Sequence, residues 1–216
     1  MNEVRIISGR ETANELLSEV AQGVLDLRKE CGVTPGLGAI LVGDDPASTT
    51  YVRNKGRACQ QAGVFTETFR LPQGASQGDV CGLVERLNQD QRFHGILVQL
   101  PLPGHIDSQE IIATISPDKD VDGLHPTNMG RLAQGRPRFV PCTPAGIQEL
   151  LLRSGYPPAG KHVVVCGRSD IVGKPMALLA MQKGHGANAT VTVCHTGTHD
   201  LGDITRQADI LIVAMG

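Results

Sequence analysis

The sequence predicts an α/β fold with two domains, each built on a mostly parallel sheet. Strand-like and helical patterns alternate along the 216 residues, as parallel strands joined by helices require. The strand-like runs, such as GLGAILVGD and KHVVVCG, are apolar and rich in β-branched residues, which is typical of strands buried on both faces. The proline-rich loop FVPCTP precedes a fresh β-α-β series, so we place a first domain at 1–145 and a second at 146–216.

The first domain opens with a long amphipathic segment, followed by the buried strand GLGAILVGD. Asp45 and Pro46 then start a helix, because the carboxylate can cap backbone N–H groups and proline suits the first turn. A second strand, FTETFRLP, and a buried run, FHGILVQL, follow, and Pro101 and Pro103 end the latter. The expected elements are helix 12–29, strand 36–44, helix 47–62, strand 65–72, helix 77–90, strand 93–100 and helix 107–115.

After a loop at 116–126, the alternating pattern resumes with a helix at 144–154 and continues through the second domain. Its strands are the β-branched runs KHVVVCG, ATVTVCH and DILIVAMG, with helical stretches between them. The expected elements are helix 144–154, strand 161–167, helix 173–184, strand 189–195, helix 200–207 and strand 209–216. A doubly wound domain with three strands is half-built, so we expect the chain to be a fragment truncated at its C-terminus.

Composition argues against several classes of protein. The formal net charge of -2 provides no basic face for nucleic acid, and no apolar stretch has the length of a membrane span. The N-terminus lacks the apolar core of a signal peptide, so we expect a cytoplasmic protein. The six cysteines form no CxxC pair, which favours buried free thiols over disulfides.

The segment VGDDPASTTYVRNK carries the first candidate site. Ser48, Tyr51 and Lys55 are spaced by three and four, so they share one helix face. Apolar neighbours such as Val52 could partly desolvate the Lys55 amine, which disfavours its charged form and suits it to proton transfer near neutrality. From composition alone, a solvated surface lysine is the more common outcome.

Gln99 ends the buried strand of GILVQLPLPG. Ligands of open parallel sheets bind beyond the carboxyl ends of the strands. A polar side chain at this position either faces such a crevice or satisfies the loop that follows. The residues alone favour neither of these two alternatives.

The segment PDKDVDGLHP resembles the opening of a calcium-binding EF-hand loop. Asp118, Asp120 and Asp122 have the required spacing, but Met129 stands where that loop needs a glutamate. We therefore expect no metal here. Asp122 is a candidate for binding an amino-pyrimidine edge through paired hydrogen bonds, or else it is a solvated turn residue.

The segment VVVCGRSDIVGKPMALLA predicts a strand, a glycine turn and a helix. It is neither a Walker A loop nor a strict GxGxxG, since Ser169 replaces the second glycine. Gly167 still permits a tight turn and Gly173 a close approach, with a helix N-terminus facing a pyrophosphate. These features favour a Rossmann-like dinucleotide-binding domain.

The next strand bears on which dinucleotide binds. NAD-specific sites usually have an acidic residue at its end, but His195 and Thr196 stand there. Arg168 could meet a 2′-phosphate, so NADP is favoured over NAD. His195 and His199 are spaced like a helical zinc pair, but Gly197 between them argues against a zinc site.

Together, VGDDPASTTYVRNK, GILVQLPLP, PDKDVDGLHPTNMG, PCTPAGI and GRSDIVGKP resemble the methylenetetrahydrofolate dehydrogenase/cyclohydrolase family, in the family's order. The resemblance implies that Lys55 is the general acid/base of the cyclohydrolase step. Tyr51 would pack on the folate and orient it. Gln99 would hydrogen-bond to the lysine and tune its protonation, and Asp122 would hold the pterin ring. Further substrate contacts are implied at Ser48, Leu100 and Pro101, and NADP contacts at Gly167, Arg168, Ser169, Ile171, Val172, Gly173, Pro175, His195 and Thr196.

The reaction implied by this resemblance has two steps at one site. Hydride leaves the methylene bridge of 5,10-methylenetetrahydrofolate for the nicotinamide, and water then opens the methenyl cation to 10-formyltetrahydrofolate. The family also suggests a homodimer formed through the second domain.

The chain departs from the family in two respects. Thr196 and Gly197 replace a serine and a basic residue, and a closing segment that completes the sheet is absent. The alternatives are a non-catalytic folate-binding fragment and an α/β dehydrogenase of the shikimate type.

Overall fold

A computed structural model describes residues 4–215 and shows an α/β fold. The chain forms two compact units. The N-terminal unit holds residues 13–121, and the C-terminal unit holds residues 4–12 together with 122–215. The domain boundary near residue 145 stays a prediction.

The N-terminal unit contains a parallel sheet of three strands in the order β2-β1-β3. Ile40 in the central strand is in register with Phe69 of β2 and Val98 of β3. Helix α1 begins at Gly9, in the chain segment of the other unit, and runs into this one. The elements are α1 (Gly9–Cys31), β1 (Gly36–Val42), α2 (Pro46–Gln61), β2 (Phe65–Leu71), α3 (Gln77–Gln89), β3 (Gly95–Val98) and α4 (Ser108–Thr114).

Alternate residues of β1 bury against opposite helices, because successive side chains of a strand point to opposite faces. Ile40 and Val42 join a cluster formed with residues of α3 and α4. Ala39 and Leu41 join a second cluster, in which Val52 of α2 packs on the other face. The sheet is therefore covered on both sides, as its continuous apolar strands predicted.

The C-terminal unit repeats this arrangement with strands in the order β5-β4-β6, all parallel. Val163 and Val165 pack with Met176 on one face of the sheet. Val164 and Cys166 pack with Cys194 on the other. The elements are α5 (Pro126–Ala133), α6 (Cys142–Arg153), β4 (His162–Cys166), α7 (Gly173–Ala180), β5 (Thr190–Cys194), α8 (Leu201–Arg206) and β6 (Ile210–Val213).

Two helices differ most from the sequence prediction. Helix α5 was not predicted, and its N-cap is His125, an unusual capping residue whose Nδ1 accepts the Thr127 N–H at 3.0 Å. Helix α7 ends at Ala180 rather than 184. The chain turns back there, because the N–H of Ala189 donates to the Ala180 carbonyl at 3.0 Å and leads into β5.

No helix among the described residues is long and apolar enough to cross a membrane. All six cysteines are free thiols, in agreement with the sequence prediction. Cys166 and Cys194 are buried as expected, but the prediction of burial is wrong for Cys31 and Cys142, which are exposed. Cys31 is the last residue of α1, and Val24 is the residue of that helix that is buried. Cys142 is the first residue of α6 and adjoins a loop.

These exposures predict two classes of thiol reactivity. Cys31 and Cys142 should react with a disulfide reagent in the native protein, whereas Cys166 and Cys194 should react only on unfolding. Burial raises the pKa of Cys194, which reduces its reactive thiolate further. Peptide mapping after brief labelling measures both classes, and native labelling of Cys194 as fast as Cys31 would contradict the prediction.

Candidate active site

The carboxyl edge of the N-terminal sheet forms the first part of the site. Strand β1 lies between β2 and β3, so the connections after β1 and β2 leave on opposite sides of it. Such a switch point opens a crevice beyond the carboxyl ends of β1 and β3. Residues 43–45 follow β1 and residues 99–101 follow β3, so both loops border this crevice.

Helix α2 starts from the first of these loops. Asp45 is its N-cap and accepts the Ser48 N–H at 2.7 Å, with Pro46 in the first turn, as predicted from the sequence. Hydrogen bonds from the backbone and hydroxyl of Ser48 lower the pKa of Asp45, so the carboxylate is ionised at neutral pH. Ser48 and Val52 are the buried residues of this helix.

Lys55 and Gln99 meet at this edge. The Lys55 Nζ donates to the Gln99 Oε1 at 3.2 Å, and both side chains are half-buried. The Gln99 Nε2 donates to the Leu100 carbonyl at 2.7 Å. Because a carbonyl oxygen only accepts, this bond orients the amide with its oxygen towards the lysine. The lysine is therefore held by a neutral acceptor and is not a freely solvated surface residue.

The other predicted substrate contacts of this unit are close to that pair in the chain. Tyr51 lies one turn before Lys55 on α2 and is 63% exposed. Leu100 is half-buried and Pro101 is exposed, and the peptide bond between them is cis. An exposed ring beside a half-buried amine is a suitable platform for a planar ligand.

Asp122 belongs to the C-terminal unit. Its Oδ1 accepts the Cys142 thiol at a donor-acceptor distance of 3.6 Å. The sequence reasoning missed this partner, because Cys142 lies 20 residues further along the chain. The carboxylate is thus oriented by the PCTP segment that opens α6.

The glycine loop between β4 and α7 is closely packed. A Cβ atom on Gly173 would lie 2.2 Å from the Gly167 carbonyl oxygen, and one on Gly167 would lie 2.3 Å from the Ala214 carbonyl oxygen. Gly167 also has a φ of +133°, which side chains disfavour. The Ser169 Oγ accepts the N–H groups of Val172 and Gly173 at 3.2 and 3.4 Å. Ser169 thus closes the loop over the start of α7.

Several of the predicted NADP contacts lie on this loop. Arg168, Ser169 and Ile171 are exposed, whereas Pro175 is buried at the start of α7. The neighbouring Lys174 forms an ion pair with Asp170. Arg168 directly follows Gly167 and is therefore the exposed positive charge nearest to it in sequence.

The end of β5 borders the same loop, since the Gly167 N–H donates to the Cys194 carbonyl at 2.8 Å. The His195 Nδ1 accepts the Gly197 N–H at 3.1 Å, so it is committed to the turn. Thr196 is exposed. Within residues 4–215, no group of three His, Cys, Asp or Glu side chains is close enough to hold a metal ion.

The loop fits a dinucleotide. Neither glycine position has room for a Cβ atom, and α7 begins at the second of them, Gly173. Backbone N–H groups at a helix start favour phosphate groups. The residues around Gly167 and Gly173 therefore suit a pyrophosphate, with Arg168 on the rim for a further phosphate.

Comparison with known proteins gives a consistent answer. The chain is 52% identical over 211 residues to the bifunctional protein FolD of Dehalococcoides mccartyi, covering 98% of this chain and 71% of that protein. The bifunctional FolD structure from Campylobacter jejuni superposes with a TM-score of 0.93 at 42% identity, covering 98% of this chain and 74% of that one.

A third relative was solved with ligands. The methylenetetrahydrofolate dehydrogenase-cyclohydrolase of Trypanosoma brucei, complexed with NADP and an inhibitor, has a TM-score of 0.93 at 40% identity. The match covers 100% of this chain and 73% of that one.

Two family models also match, and together they span most of the sequence. Residues 7–122 match the catalytic domain of tetrahydrofolate dehydrogenase/cyclohydrolase, and residues 141–216 match its NAD(P)-binding domain. The chain belongs to the tetrahydrofolate dehydrogenase/cyclohydrolase family.

Proposed function

We propose that this protein oxidises 5,10-methylenetetrahydrofolate with NADP and hydrolyses the product to 10-formyltetrahydrofolate. The observation that carries the proposal is the hydrogen bond between Lys55 Nζ and Gln99 Oε1 at the crevice edge. The names of the relatives, which are bifunctional dehydrogenase/cyclohydrolase enzymes, support it. They also favour it over a non-catalytic folate-binding fragment.

In the hydrolytic step, Lys55 acts as the general acid/base, which first accepts a proton and then donates one. Water attacks the methenyl carbon of the cation and loses a proton to the amine, which leaves a hydroxyl group on that carbon. The ammonium then gives its proton to the N5 nitrogen, the bond between that nitrogen and the carbon breaks, and the hydroxyl proton passes to the amine as the formyl C=O forms. The neutral Gln99 amide accepts an N–H from the lysine in either protonation state. A carboxylate in its place would favour the ammonium form and remove the base.

In the oxidative step, NADP supplies the hydride acceptor when it is bound. The protein contributes by positioning the cofactor. Gly167 and Gly173 let the backbone approach the pyrophosphate, and Ser169 holds the loop closed. Arg168 is proposed to bind the 2′-phosphate. Further proposed contacts are Ile171, Val172, Pro175, His195 and Thr196. Alignment of the donor carbon with the nicotinamide should supply much of the rate, because the substrate nitrogens already assist hydride loss.

The folate is proposed to bind at the carboxyl edge of the N-terminal sheet, where Lys55 meets Gln99. Tyr51 would stack on it, and Asp122 would accept paired hydrogen bonds from the amino-pyrimidine edge of the pterin. Leu100 and Pro101 would contact its ring system. Ser48 lies below this surface, because it is 4% exposed.

Turnover of methylenetetrahydrofolate with NADP and NAD in parallel tests the oxidative half. We expect turnover with both and a preference for NADP in kcat/KM. Arg168→Gln should reduce that preference by about tenfold or more, because a charge-assisted contact contributes about 1.5–3 kcal/mol. Equal preference in wild type and variant would show that Arg168 does not bind the 2′-phosphate.

Localisation and assembly complete the proposal. We propose a cytoplasmic enzyme, supported by six free thiols. A homodimer is supported by the resemblance to the family. Sedimentation of the purified protein tests the second point, and a monomer at micromolar concentration would contradict it.

A further inference from the structure

The start of α2 contains a polar anchor that the proposed mechanism does not use. Ser48 is a buried polar residue, 4% exposed, on a helix that is mostly exposed. Its N–H donates to the Asp45 Oδ2 at 2.7 Å. The Asp45 carboxylate thus caps the first turn of the helix at the buried residue.

Val52 also holds the helix on the sheet. It is 3% exposed and packs with Ala39, Leu41 and Leu97. Ser48 and Val52 lie one turn apart and are the buried residues of α2. If Ser48 is released, Val52 becomes a pivot about which the helix can tilt.

Lys55 lies on the other side of that pivot. It follows Ser48 by seven residues, which is two turns on the same helix face and about 10 Å along the axis. A tilt at the first turn therefore moves the amine relative to Gln99, which is fixed to the sheet through its N–H bond to the Ile40 carbonyl at 2.9 Å. The 3.2 Å contact between the two side chains has little tolerance for such movement.

We propose that Asp45 is a positioning residue for the lysine-dependent hydrolysis, because its carboxylate fixes Ser48 and thereby the direction in which α2 presents Lys55 to Gln99. This inference rests on the proposed function. It concerns a residue that touches neither folate nor dinucleotide in that proposal.

The test compares Asp45→Ala with Asp45→Asn in methenyltetrahydrofolate hydrolysis. Asparagine caps helices about as well as aspartate, whereas alanine does not. We expect Asp45→Ala to lower kcat by about 10- to 100-fold with KM within about twofold, since a 1 Å displacement can cost about 100-fold. Asp45→Asn should restore kcat to within about threefold of wild type.

Ser76→Ala is the matched control. Ser76 caps α3 in the same unit and accepts the Asp79 N–H at 3.2 Å, but α3 carries no proposed site residue. This variant should lose thermal stability as Asp45→Ala does and keep the kcat of wild type. All rates are measured below the unfolding transition of every variant, followed by circular dichroism.

Two results would overturn the inference. One is a kcat for Asp45→Ala within twofold of wild type, which would make the cap purely a stabilising feature. The other is equal loss in Asp45→Asn and Asp45→Ala, which would show that capping is not the route. The proposed function fails by a different result, namely equal hydrolysis by wild type and Lys55→Met.

Discussion

Lys55→Met should lower methenyltetrahydrofolate hydrolysis by about 10²–10⁴-fold, the usual contribution of a general acid/base. Methionine keeps the length and apolar stem of lysine but cannot accept or donate a proton. The hydride transfer needs no proton from the protein, so it should fall much less. The methenyl intermediate should therefore accumulate during oxidation of methylenetetrahydrofolate, which its absorbance reports directly.

Arg57→Met provides the control on the same helix. Arg57 is exposed two residues further along α2, so its loss removes a positive charge without touching Gln99. Its hydrolysis rate should stay near that of wild type. If Lys55→Met hydrolysed as fast as Arg57→Met, the assignment of the proton-transfer group would be wrong.

Gly173→Ala should raise the KM for NADP by about 100-fold or more and leave methenyl hydrolysis nearly unchanged. The new Cβ would lie 2.2 Å from the Gly167 carbonyl oxygen and 2.8 Å from the Arg168 nitrogen. Both neighbours are backbone atoms, so the loop itself has to move, and with it the backbone that is proposed to bind the pyrophosphate. Lys55 and Gln99 belong to the other unit, which is why hydrolysis should survive.

Gly146→Ala is the appropriate control for this change. Gly146 lies in α6 of the same unit, and a Cβ there would meet nothing within 4 Å. NADP binding, measured by fluorescence titration, should match wild type in Gly146→Ala and be lost in Gly173→Ala. Equal affinities in the two variants would show that the glycine loop does not cradle the dinucleotide.

Much of the candidate site follows from local patterns. The Asp45–Pro46 start of α2 is readable from two adjacent residues, because a cap acts on N–H groups only three positions away. The spacing of Ser48, Tyr51 and Lys55 places them on one helix face for the same local reason. The glycine turn between β4 and α7 is likewise a property of one short segment.

Other contacts could not be read in this way. The bond between Cys142 and Asp122 joins positions 20 residues apart, and the bond between Lys55 and Gln99 joins positions 44 residues apart. No spacing rule predicts such pairs. Helix α5 was missed because its cap, His125, is not a common N-cap residue, although Pro126 at its first position is a common start signal.

By itself, the sequence determined the α/β class, most elements, the glycine loop and the family, since these depend on periodicity, capping and contiguous motifs. Only the tertiary structure decided the strand orders β2-β1-β3 and β5-β4-β6, and with them the side of the sheet on which each loop emerges. The structure also shows that the Gln99 oxygen is the atom that accepts from Lys55, and that Ser48 is buried. The physical reason is that strand order and burial arise from contacts between distant segments, whereas a helix start or a tight turn is set by neighbours along the chain.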